Sequence, residues 1–177
     1  MRATVLRSLS DSDSDLLFRW INDRDLVILN APFRMVARAD HDRWFASIRR
    51  APDIRIYAIA DPSQSRAIGY CQLKRIDRES GNAELQIRIG ERAMHGKGIG
   101  TMAVRELLAV GFEELALHRI YLHVFEDNER AYRTYLGCGF REEGLLRDAV
   151  KIEGAFKNIR LMAILDSDGG PSIAAKR

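Results

Sequence analysis

Met94-His95-Gly96-Lys97-Gly98-Ile99-Gly100-Thr101 is the stretch whose reading decides the fold. Its three glycines stand at alternate positions where a strand pattern gives way to a helix pattern. With no Cβ in the way, successive backbone N–H groups lie open. Together with the positive end of a helix dipole they can hold a phosphate or pyrophosphate. Lys97, Arg92 and His95 add positive charge close by. A flexible helix entry that binds nothing would show the same glycines, so the flanks must decide. Upstream, residues 84–89 (ELQIRI) alternate strictly, with Leu85, Ile87 and Ile89 on one side and Glu84, Gln86 and Arg88 on the other. Downstream, Ile99, Met102, Leu107, Leu108, Phe112 and Leu115 keep helical spacing over residues 98–115.

Working outward, residues 4–9 read as a first strand. Ser12 and Asp15 are placed to cap a helix running to about Asp23, with Leu16, Leu17, Trp20 and Ile21 on one face. Pro32 interrupts the next stretch, and Asp40 is expected to cap a second helix bearing Trp44, Phe45 and Ile48. Strands are predicted over 54–60, 67–76, 119–125, 140–147 and 159–165, with a short helix over 128–136. Strands and helices mix without strict alternation, so the class is α+β with a mixed sheet. Residues 1–166 read as one domain, and 167–177 as a polar tail expected to be disordered.

The 177 residues include 28 basic and 25 acidic ones, a net charge of +3 that does not announce a nucleic-acid surface. Hydrophobic residues make up 46%, a globular balance rather than a disordered one. The longest apolar runs, such as residues 107–110, are too short to span a bilayer. The first fifteen residues lack the apolar centre of a secretory signal, so a soluble cytoplasmic protein with no membrane partner is expected. Cys71 and Cys138, far apart and without CxxC spacing, suggest neither a disulfide scaffold nor a metal cluster.

Three phosphate ligands compete for the glycine loop. A Walker A loop fails because Lys97 precedes the last two glycines. The dinucleotide fingerprint is formally met by Gly98, Gly100 and Ala103, with Glu126 after the next strand. Residues 90–97 then intervene where a tight turn is needed, and about fifty residues after Glu126 are too few for a second half-sheet. The third reading rests on a resemblance. His95-Gly96-Lys97-Gly98-Ile99-Gly100, with ELQIRIGERAMHGKGIGTMAVRELLAVGFEEL around it and HRIYLHVFEDNERAYRTYLGCGFREEG after it, resembles the GCN5-related N-acetyltransferase superfamily. The signature there is [QR]-x-x-G-x-[GA], and His95 departs from its first position. The resemblance covers about residues 3–165. It implies a mixed sheet of about seven strands with splayed parallel strands at the centre, about four helices, and acetyl-CoA as cosubstrate with no metal.

Acetyl transfer to an amine needs a positioned thioester, a proton acceptor for the ammonium and a proton donor for the leaving thiolate. The resemblance places the cofactor along the backbone of Ile87, Arg88 and Ile89, at residues 95–101 (His95, Gly96, Lys97, Gly98, Ile99, Gly100 and Thr101), and at Asn128 and Tyr135. The match to N-x-x-A-x-x-x-Y at Asn128, Ala131 and Tyr135 makes Tyr135 the acid. A phenol with an ordinary pKa near ~10 stays protonated at neutral pH. Tyr135 as a core aromatic and Asn128 as a helix cap are the structural readings beside these. The resemblance makes Glu84, eleven residues before His95, and His123, twelve before Tyr135, the candidate bases. Glu84 could equally be an exposed strand charge paired with Arg88, and a water relay would need neither base. His41 and Trp44 fall where the resemblance puts the acceptor pocket, although the first is more usually surface and the second core. A protein N-terminal amine is the expected acceptor, with a nucleotide-linked amino sugar or a polyamine as alternatives, and a monomer or homodimer as the working form. A non-catalytic acyl-CoA-binding module is the reading from another class.

Overall fold

The computed structural model describes residues 5–61, 63 and 65–169. Its centre is the alternating segment, here strand β4 (Asn82–Ile89), flanked by β3 (Ala67–Asp77) and β5 (Arg119–Phe125). The remaining strands are β1 (Leu6–Ser8), β2 (Arg55–Ala60), β6 (Arg141–Ile152) and β7 (Ala155–Leu165). Five helices accompany them: α1 (Ser14–Ile21), α2 (Arg24–Val27), α3 (Arg38–Ile48), α4 (Ile99–Ala109) and α5 (Glu129–Leu136). The sheet order is β1-β2-β3-β4-β5-β7-β6. Every neighbouring pair is antiparallel except β4 and β5. That parallel pair holds register only at Asn82–Arg119, Ala83–Ile120 and Glu84–Tyr121, and then the strands part.

Both faces of β4 are covered, for different reasons. Leu85 joins Leu73, Val104, Leu107, Ile120, Leu122, Phe140 and Met162 in the main core beneath α4, with Ile87 and Ile89 packed against it. On the opposite face, Trp20, Leu17, Phe45 and Tyr70 form a second cluster under α1 and α3. Gly90 continues that face, and a Cβ there would lie 2.2 Å from the Trp20 ring, so only glycine admits the indole.

Several boundaries differ from the sequence expectation. The entry to α1 is capped one turn early. Asp13, not Asp15, accepts from the Ser10 N–H (2.8 Å) and hydroxyl (3.0 Å), while Arg7 grips its two oxygens at 2.7 Å. Helix α3 starts before Asp40, with Ala37 at its cap and no side-chain capping bond. Asp40 is drawn instead to Arg43 one turn on. The long helix stops at Ala109 and continues as a π-helical turn, Val110–Glu114, in which Gly111 packs against Ile120. Strands β6 and β7 are longer than predicted. Glu153 and Gly154, with φ of 51° and 88°, form a two-residue hairpin turn that sends the pairing on through Ile152–Ala155. Thr4 of the predicted first strand and residues 170–177 of the predicted tail lie outside the described residues. Asp166–Asp168 form a last helical turn, where Asp168 accepts from the Leu165 N–H and pairs with Arg141.

Candidate active site

A cavity of about 560 Å³ opens where β4 and β5 diverge. The α2–α3 connection, the N-terminus of α4 and one side of α5 close around it. At one end lies the glycine loop. Gly98 caps α4 with φ 76° and Gly96 has φ 75°, conformations that a side chain would strain. A Cβ at Gly96, Gly98 or Gly100 would meet nothing within 4 Å, so the loop borders open space of the kind a pyrophosphate fills. Ile99 and Thr101 also line this end, and Ile99, 4% exposed, is at the same time part of the main core. His95 is held on both ring nitrogens: Arg130 donates to Nδ1 (3.1 Å), and Nε2–H donates to the Ile89 carbonyl (3.0 Å).

Arg92, expected to add charge beside the loop, is committed elsewhere, and so is Arg88 on β4. Arg92 pairs with Asp23 at 2.9 Å and Asp25 at 3.2 Å. Arg88 stands on the face of β4 away from α4, opposite Tyr70 in the β3–β4 register, and donates to Asn30 Oδ1 at 2.8 Å. Lys97 is exposed at the loop, its Nζ 3.6 Å from the Met94 sulfur.

Along the middle of the cavity, Asn128 caps α5, the structural role foreseen for it. Its Oδ1 accepts from the Ala131 N–H to cap α5, and its Nδ2 reaches the Leu29 carbonyl, each at 3.2 Å. Tyr135 is buried in the main core, edge-on to Phe140 at 5.8 Å, and still lines the cavity. Burial, reinforced by the adjoining Cys138 thiol, pushes its phenol pKa above the ordinary value, so the proton stays on. Cys71 and Cys138 are both buried free thiols.

At the far end, Glu84 is 8% exposed and is not partnered by Arg88. Lys74 Nζ lies 3.3 Å from Oε1 and Arg75 Nη1 lies 3.1 Å from Oε2. Nδ1 of His123 sits 3.5 Å from Oε1, so the two candidate bases form a single pair. His41 and Trp44 are corrections to the sequence reading, because neither lines this cavity. His41 is 2% exposed, and its Nε2 lies 2.9 Å from the Ser14 carbonyl oxygen and 3.1 Å from the Ser14 hydroxyl. Phe18, Trp44 and Phe45 surround its ring, so these residues tie α1 to α3. Burial lowers the His41 pKa. Sequence reasoning missed Lys74, Asn30 and Arg130. Lys74 faces Glu84 across the β3–β4 register and could have been found from a hairpin alignment, whereas Asn30 and Arg130 carry no local signal.

Parted strands over a glycine-capped helix, with a buried phenol on one side and a carboxylate–imidazole pair on the other, are an arrangement suited to acyl transfer from a phosphate-bearing thioester. The chain belongs to the GNAT acetyltransferase family, whose domain model matches residues 4–141. It is an acetyl-CoA-dependent N-acetyltransferase, with the seven-stranded mixed sheet of that fold. The spermidine N(1)-acetyltransferase of Vibrio cholerae serotype O1 is 36% identical over 109 residues, 62% of each chain. The crystal structure of the Vibrio cholerae spermidine N-acetyltransferase in complex with CoA and spermine superposes with a TM-score of 0.84. It is 29% identical and covers 92% of this chain and 95% of that one. A structure described as dodecameric, of the same Vibrio enzyme in an intermediate state, gives a TM-score of 0.79 at 29% identity, covering 93% and 94% of the two chains. Among the described residues no helix is long and apolar enough to cross a membrane, and no cluster of three or more His, Cys, Asp or Glu side chains could hold a metal.

Proposed function

We propose that the protein transfers the acetyl group of acetyl-CoA directly to the primary amine of a small molecule within a ternary complex. The expectation of a protein N-terminal acceptor gives way here, since the relatives named above are spermidine acetyltransferases rather than protein-modifying ones. The dodecameric neighbour likewise supports an assembly larger than the expected monomer or homodimer.

One observation carries the mechanism: the glycine loop, Tyr135, Glu84 and His123 line the same cavity. The open amides at 96–100 hold the pyrophosphate, and the unpaired edge of β4 beyond Glu84 guides the pantetheine arm. A backbone N–H there polarises the thioester carbonyl. The amine nitrogen attacks the carbonyl carbon and the C–S bond breaks. The departing sulfur takes the phenolic proton of Tyr135, which burial keeps in place. The ammonium proton leaves through His123, whose Nδ1 faces Glu84 and whose Nε2 is therefore free to accept it, directly or through a water.

Calorimetric titration with acetyl-CoA, followed by thiol release over a panel of primary amines, tests the reading. Saturable binding and amine-dependent release of free CoA are expected. No binding at high micromolar acetyl-CoA would overturn it.

A further inference from the structure

The polar face of β4 ends in a charge that acetyl transfer does not use. Arg88 is 6% exposed and lines the cavity. Its one hydrogen bond runs from Nη2 to Asn30, and its Nε and Nη1 are buried without a partner. The Tyr70 ring lies 5.9 Å from the guanidinium carbon, which offers a π face but no counter-ion. A guanidinium stays charged at any physiological pH. Burying it without an anion is costly, and the cost is recovered only when an anion arrives.

That anion does not come from the lining of the cavity. Its one carboxylate, Glu84, is taken by Lys74, Arg75 and His123, while Lys74, Arg88 and Arg130 supply three permanent cations. Nor does it come from the phosphates of the cofactor. The residues that alternate with Arg88, namely Leu85, Ile87 and Ile89, pack on the core that holds Ile99 at the start of α4. The guanidinium therefore points to the other side of the sheet, which it shares with Glu84.

We propose that Arg88 binds an oxyanion carried by the acceptor, so that the acceptor is an amine bearing a carboxylate or phosphate rather than a polyamine. The inference rests on the acetyltransferase reading and narrows its substrate. Glu84 and Arg88 are four residues apart, about 13 Å along a strand, which sets the scale of the separation between amine and anion. A polyamine would bring further positive charge to a pocket already short of carboxylates. An anionic amine places its ammonium at Glu84 and His123 and its oxyanion at Arg88.

The test compares matched acceptors by thiol release: 6-aminohexanoate against hexylamine, glucosamine 6-phosphate against glucosamine, and spermidine alone. The anionic member of at least one pair is expected to exceed its neutral partner in kcat/KM by roughly tenfold or more, with the preferred pair separating carboxylate from phosphate. Arg88→Gln should bring that ratio towards one, and Arg88→Lys should restore part of it. A purely structural arginine would lower both members alike. Calorimetry with acetyl-CoA on each variant keeps loss of fold distinct from loss of selectivity. Spermidine outpacing every anionic amine, or a ratio untouched by Arg88→Gln, would overturn the proposal. Absent acetyl-CoA binding by the unaltered protein would instead overturn the acetyltransferase reading beneath it.

Discussion

The two ends of the cavity are built on opposite principles. The loop end is made mostly of backbone: Gly96, Gly98 and Gly100 contribute amides and empty space, and Asn128 caps the next helix. The proposed acceptor end is made of side chains from separate elements, with Lys74 from β3, Glu84 and Arg88 from β4, His123 from β5 and Asn30 from the segment after α2. A shared cosubstrate can be gripped by main chain, which every sequence of the fold supplies. An individual acceptor must be recognised by side chains that can change without unmaking the sheet.

Four measurements would break or sharpen that contrast. Removing the phenol proposed as the leaving-group proton donor should have the largest effect. Tyr135→Phe is expected to lower kcat by about 10²–10³-fold while acetyl-CoA affinity barely moves; an unaltered kcat would discard Tyr135 as the acid. His123→Gln comes next, at about 10–100-fold in kcat with acetyl-CoA affinity retained; an unaltered kcat would return the proton to Glu84 or to water. Third, Gly98→Ala forces a Cβ into a left-handed conformation that costs about 1–2 kcal/mol, so acetyl-CoA should bind roughly tenfold more weakly. Gly100→Ala, free of that φ constraint, serves as its control, and equal losses in both would make obstruction rather than strain the cause.

The smallest effect lies behind the acceptor end, in the histidine that turned out to be structural. Burial holds the His41 pKa below its unfolded value near ~6.5. The unfolded chain therefore binds the proton more readily. The His41 contribution to stability is complete above about pH 6.5 and is lost as pH falls through that value. Urea midpoints at pH 5.5 and 7.5 should show the lower one at pH 5.5, and His41→Gln should shrink the difference; a larger difference in the variant would refute the assignment.

Legibility in the sequence follows the same division. Strand β4, the glycine loop and the Asn128–Tyr135 helix were readable because their signals are local, in alternation, glycine spacing and capping distance. The splayed parallel strands at the centre came with the resemblance rather than from periodicity, and the full sheet order was not read at all. Glu84 and His123 were each found alone; that they face each other depends on three residues of β4–β5 register. His41 was misplaced because a histidine on a helix gives no sign of whether Ser14 and Phe18 will close over it. The Glu153–Gly154 turn was overlooked because the strands it joins are largely exposed and lack clean alternation.

The seam between β4 and β5 bears on the lifetime of the protein as well as on its chemistry. After Glu84 the inner edges of both strands are without ladder partners, so the free protein carries an interrupted sheet at its centre. A pantetheine arm lying there acts as a surrogate strand. Amides of residues 85–89 should then exchange with deuterium more slowly as acetyl-CoA rises, and resistance to proteolysis should climb with ligand concentration by mass action. The stability of the folded enzyme is then expected to rise with the supply of its own acyl donor.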